Sequence, residues 1–229
     1  NRGAGIWDPE KRRSVPEYVA LAKLSGLSVS RWPGGCGAHA YNWKRTVGAV
    51  VDRQTQAFGL PEFLRWCGDT DSLPLITLPV YWGTPDDAAD LVEYLNAPND
   101  GSNPNGGRDW AALRAADGHA PPYDVVWFEF GNETYHGMHA GQLPRQRIVA
   151  EEYVERYRTT RTAMKAIDPR IRLGAVLQHD EKHWTASILE ALRRDIDFGI
   201  DHTYLPVWGK DAGPEESRIL LQAATACGA

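Results

Sequence analysis

The chain has 229 residues, 42% hydrophobic and 24% charged, a balance that fills one large core and argues for a single globular unit over residues 1–229. A net charge of -5, with basic residues scattered along the sequence, gives no electrostatic footprint for nucleic acid. No apolar run reaches the length of a membrane-spanning helix, and the polar first residues hold no signal-peptide core, which leaves the compartment open. Cys36, Cys67 and Cys227 are odd in number and far apart, so neither a disulfide framework nor a zinc site is indicated.

In chain order, helical and strand-like patterns alternate. A helix is expected over Val15–Leu24, a strand over Leu27–Trp32, a helix over Pro61–Gly68, a strand over Leu73–Val80 and a helix over Pro85–Leu95. The last has a clear start, because Thr84-Pro85-Asp86-Asp87 supplies a cap, a first-turn proline and acids against the helix dipole. The segment Ala97–Pro122 is poor in apolar residues and rich in Asn and Gly, and reads as a surface excursion. A strand follows at Asp124–Phe130, then a helix at Glu151–Ile167 stopped by Asp168-Pro169, a strand at Ile171–Leu177 and a helix at His183–Arg194. A strand at Asp197–Tyr204 and a helix at Pro214–Ala226 complete the pattern. Five strands with intervening helices predict an α/β fold with a parallel sheet, and the long connections after strands, Pro33–Leu60 and Thr134–Arg147, fall where (β/α) barrels build their sites.

The chemistry concentrates at strand ends. Trp127-Phe128-Glu129-Phe130-Gly131-Asn132-Glu133 is a buried-strand pattern that breaks into Gly-Asn-Glu, and strict alternation sets Trp127, Glu129, Gly131 and Glu133 on one face. Carboxylates in such a run are paired, hydrogen-bonded or functional. A structural ion pair for Glu129 and a loop cap for Glu133 are the plainer alternatives. Arg31 closes the first strand, where an arginine serves to hold a carboxylate, either Glu129 as a structural pair or an acid of a site. His202 and Tyr204 share a face at the end of the last strand, against the alternative of a satisfied core histidine. Tyr81 and Trp82 follow the second strand, and Trp32, Tyr41, Trp43 and Trp208 also lie beside turns, where aromatic faces can stack on sugar rings or simply anchor loops.

An acid, an arginine, a histidine and aromatic rings on one rim fit glycoside hydrolysis, which uses one carboxylic acid to protonate the leaving oxygen and a second carboxylate as nucleophile or base. No phosphate loop, His-Glu-x-x-His or Gly-x-Ser-x-Gly motif competes, so neither a metal nor a cofactor is expected.

Successive motifs make a resemblance specific. Arg31-Trp32-Pro33-Gly34-Gly35, Tyr41-Asn42-Trp43, Phe58-Gly59-Leu60-Pro61-Glu62-Phe63, Gly83-Thr84-Pro85-Asp86-Asp87-Ala88-Ala89, Val92-Glu93-Tyr94-Leu95-Asn96 and Gly131-Asn132-Glu133 occur in an order and spacing similar to glycoside hydrolase family 51. That family comprises mainly α-L-arabinofuranosidases. The resemblance implies a retaining (β/α)8 TIM-barrel enzyme acting on arabinofuranosides or related plant polysaccharide side chains, in which Glu133 is the general acid/base at the end of the fourth barrel strand. It implies further that Asn132 contacts the hydroxyl next to the anomeric carbon, Arg31 holds the nucleophile, His202 and Tyr204 follow the sixth strand, and Tyr41 and Trp43 line the sugar pocket.

The sequence also departs from the family. Pro79, with Tyr81 and Trp82, stands where an Asn and small residues are usual, which opens the alternative of an endo-acting pyranosidase of the same clan. Only about strands 2–6 of a barrel can be assigned, and no residue matches the nucleophile that ends the seventh strand. Asp180, Glu181 and Asp201 lie elsewhere. The barrel is therefore expected to be incomplete, finished by further sequence or by another chain that supplies the nucleophile. The other alternative is a non-catalytic carbohydrate-binding or scaffold descendant.

Overall fold

The computed structural model of the protein describes residues 5–53, 58–137, 147–178 and 182–202. The last two residues of the strand expected over Asp197–Tyr204 and the helix expected at Pro214–Ala226, with Trp208, Asp180, Glu181 and Cys227, lie outside the described residues.

A short antiparallel hairpin opens the described chain, β1 (Trp7–Asp8) against β2 (Arg13–Ser14). Helix α1 (Pro16–Leu24) leads to β3 (Val29–Trp32), and α2 (Leu60–Thr70) to β4 (Leu73–Leu78). Then come α3 (Pro85–Asn96), α4 (Trp110–Ala116), β5 (Trp127–Phe130), α5 (Ala150–Ile167), β6 (Arg172–Leu177), α6 (Lys182–Leu192) and β7 (Phe198–Asp201). Strands β3 to β7 lie side by side in chain order, and every neighbouring pair is parallel. Parallel neighbours need a crossover between them, and the helices supply it.

The two faces of the sheet divide as alternation requires. Ile76, Leu78, Phe128, Phe130, Leu173 and Ala175 are buried in the core shared with the helices. On the opposite face Thr77, Glu129 and Gly174 stand in register across β4, β5 and β6. Lower on that face Val29, Leu73 and Trp127 are exposed, an open apolar surface among the described residues. Strands β3 and β7 are the edges of the sheet as described.

Local signals explain most helix boundaries. Thr84 caps α3, accepting a hydrogen bond from the Asp87 amide at 3.0 Å while Asp87 accepts one from the Thr84 amide at 3.1 Å. Asp168 ends α5. The expected surface excursion at 97–122 instead contains α4, started by the Asp109 side chain accepting from Ala112 N at 2.7 Å. Its Arg114 is fully buried and donates to the carbonyls of Tyr94 and Ala97 at 2.8 Å, so a polar segment is tied into the core through backbone acceptors.

Candidate active site

Helix α5 fixes the end of β5. The Tyr153 hydroxyl donates to the Phe130 carbonyl at 2.8 Å and accepts from the Val176 amide at 2.9 Å, bridging two strand ends. The strand stops at Phe130, and Gly131 follows with φ +94. A β-carbon at Gly131 would meet Val80 at 2.6 Å and would also collide with the Thr134 hydroxyl, so both conformation and space demand glycine. Alternation therefore does not carry Glu133 onto the face of Glu129, contrary to the sequence expectation. The chain turns at Gly131, and Glu133 takes a left-handed backbone with φ 44 and ψ 40. A non-glycine residue held there is mildly strained, a condition common at sites.

The turn brings the expected groups together at the carboxyl ends of the strands. Glu133 Oε1 accepts from His202 Nδ1 at 3.1 Å, and Glu133 Oε2 accepts the Cys36 thiol at 3.8 Å. Its side chain is 11% exposed and that of His202 25%, which leaves the pair reachable from solvent. Asn132 is buried; its Oδ1 accepts from Arg31 Nη2 at 2.7 Å, and its Nδ2 donates to Cys36 Sγ at 3.7 Å. Arg31 also pairs through Nε with the fully buried Glu129, which Thr77 contacts with its hydroxyl. The ion pair considered from the sequence is thus present, and Arg31 reaches Asn132 as well.

Two members of the cluster were missed from the sequence. Cys36 sits between Asn132 and Glu133, and burial together with the Glu133 charge pushes its thiol pKa up, so it stays protonated and donates. His39 is fully buried and donates from Nε2 to the Asn132 carbonyl at 2.7 Å. Both follow Arg31-Trp32-Pro33-Gly34-Gly35 in the long loop after β3, and that position was their only signal.

The aromatic residues divide. Tyr81 donates to the Thr134 carbonyl at 3.1 Å and meets the His39 ring edge-on at 4.8 Å, so it braces the Glu133 turn from behind. Trp43 is 5% exposed, packed against Tyr94 and Trp110, and its indole N–H donates to the Asp87 carbonyl. Trp82 is 56% exposed. Tyr41, Trp43 and Trp82, with Asn42, Arg45 and Asp87, line a cavity of about 320 Å³ on the same rim. Glu133 is not part of its wall. Among the described residues no cluster of His, Cys, Asp or Glu has the geometry of a metal site, and no helix is long and apolar enough to cross a membrane.

A parallel α/β sheet carrying a carboxylate, an amide, an arginine and a histidine at its carboxyl rim is the layout of a barrel-type glycosidase. The sequence profile of the α-L-arabinofuranosidase 1 domain matches residues 20–207, and the chain belongs to that family of arabinofuranosidases, glycoside hydrolase family 51. It is 31% identical over 188 residues to α-L-arabinofuranosidase C of Emericella nidulans, covering 74% of this chain and 34% of that protein. It is 30% identical over 223 residues to the intracellular exo-α-(1→5)-L-arabinofuranosidase 1 of Bacillus subtilis, covering 87% of this chain and 42% of that protein. Among solved structures, the arabinose complex of the α-L-arabinofuranosidase from Thermotoga maritima superimposes with a TM-score of 0.78 at 27% identity, over 100% of this chain and 46% of that one. The five-stranded sheet corresponds to an incomplete TIM barrel, and the chain spans less than half the length of these relatives.

Proposed function

We propose that the chain carries the acid/base half of a retaining glycosidase acting on α-L-arabinofuranosides, with Glu133 as general acid and then general base. The observation that carries this is the setting of Glu133: at the rim of the sheet, 3.1 Å from His202 and beside an Asn132 whose amide is fixed by Arg31. A carboxyl group so placed can protonate a departing glycosidic oxygen and later take a proton from water. The retaining reaction needs a second carboxylate at about 5–5.5 Å, on the other side of the anomeric carbon. Glu129 is a poor candidate for that role, being fully buried and engaged by Arg31 and Thr77. The nucleophile is assigned to a strand beyond those described, supplied by further sequence or another chain.

The experiment is Glu133→Gln in the longest natural polypeptide that carries these residues, assayed on arabinofuranosides with good and poor leaving groups. Loss concentrated on poor leaving groups, which alone need protonation, supports the acid role; equal loss on both opposes it. Sugar binding without turnover by the unaltered polypeptide, on furanosides and pyranosides alike, would favour a binding protein over an enzyme.

A further inference from the structure

Glu129 has no place in the mechanism above, yet its setting is unusual. It is a fully buried acid on the face opposite the helical core, in register with Thr77 on one side and Gly174 on the other. One carboxylate oxygen takes both Arg31 Nε and the Thr77 hydroxyl, while the other has no hydrogen-bond partner among the described residues. A buried carboxylate kept with an unsatisfied oxygen is costly, and an apolar or small residue would serve packing better.

What Glu129 does is hold the near end of Arg31. Arg31 lies in register with Leu75, which pairs with Trp127, so its Cα stands one side-chain position below Glu129 on the same face, and its side chain climbs towards the rim. With Nε fixed on Glu129, Nη2 is delivered to Asn132 Oδ1 at 2.7 Å. Arginine can only donate, so the oxygen of the Asn132 amide must face it, and the NH2 group turns the other way. There it meets Cys36 Sγ at 3.7 Å, and the thiol in turn contacts Glu133 at 3.8 Å. We infer that Glu129 is a positioning residue: acting through Arg31, it locks the Asn132 amide so that only a hydrogen-bond donor is offered beside Glu133. The inference rests on the reading of Glu133 and Asn132 as the sugar-facing pair.

The test is a double-variant cycle in the longest natural polypeptide, with Glu129→Gln, Asn132→Ala and the two combined. Kinetics on 4-nitrophenyl α-L-arabinofuranoside are read together with the side-chain amide resonance of Asn132. Glu129→Gln should lower kcat/KM on the order of 10- to 100-fold, the scale of a displaced positioning group, and shift the Asn132 amide resonance. In the Asn132→Ala background it should add almost nothing. A merely structural role predicts additive losses and an unmoved amide, and either result overturns the inference. Should Glu129→Gln not fold, Glu129→Asp keeps the charge, shortens the reach by one methylene and must show the same non-additivity. If the unaltered polypeptide turns over no arabinofuranoside, the functional reading fails, while the amide resonance still decides what Glu129 does.

Discussion

Arg31, on β3, and Asn132, in the turn after β5, are 101 positions apart in sequence and meet at 2.7 Å through Nη2 and Oδ1. The contact fixes which end of the amide is turned towards Cys36 and Glu133. Asn132→Asp keeps an acceptor for Arg31 but replaces the NH2 donor with a second negative charge beside Glu133. Binding of L-arabinose, followed by calorimetry or by inhibition, should weaken by about 1–3 kcal/mol, the cost of leaving a buried polar group unpaired. The added charge disfavours ionisation of Glu133, so the pH-rate profile should move to higher pH.

Glu129 depends on Arg31 for its charge partner, and Arg31 is 28% exposed while Glu129 is 0%. Arg31→Met leaves the acid buried and unpaired, and should cost on the order of 3 kcal/mol in urea unfolding. Adding Glu129→Gln to Arg31→Met should restore part of that loss, because the uncompensated charge is gone. A double variant as unstable as the sum of the singles would contradict the pairing.

Thr84 and Asp87 form a reciprocal cap at the start of α3, which packs on α5. Thr84→Ala should destabilise by about 1 kcal/mol, with sugar affinity unchanged. A much larger loss, or one confined to affinity, would give the segment a part in binding.

Burial pushes the Cys67 thiol up to about 11, and burial with the Glu133 charge raises Cys36. At pH 8 both should alkylate far more slowly in the folded protein than in urea, because the thiolate is the reactive form. Above the ordinary thiol range the unfolded chain gives up these protons while the folded one keeps them. Stability should therefore fall as pH rises, for Cys67 from the ordinary thiol value of 9.0 towards about 11. Stability that climbed over that window would reverse the sign of the burial effect.

The parts of the fold that were legible in the sequence are those where periodicity runs long enough to be read. All five parallel strands and, α4 apart, the helices through α6 appear near their expected positions, and Arg31, Asn132, Glu133 and His202 meet beyond the strand ends. The hairpin β1–β2 was not legible, since two residues per strand carry no alternation. Helix α4 was hidden because seven residues are too few for a clear stripe, and its anchoring is done by Arg114, a residue normally read as surface. Cys36 and His39 escaped for another reason: their partners are Glu133, Asn132 and a carbonyl some ninety-odd residues away, and nothing local marks such contacts.

The division of labour along β5 limits how this strand can change over evolutionary time. Phe128 and Phe130 hold the helical layer while Glu129 between them holds Arg31, and the turn at Gly131 hands the chain on to Asn132 and Glu133. Individual side chains here can be exchanged at a graded cost. Insertion or deletion of one residue inverts both faces at once, setting the acid among aromatic rings and a phenylalanine beside the arginine. A change in the length of the strand is therefore costlier than a change in its composition.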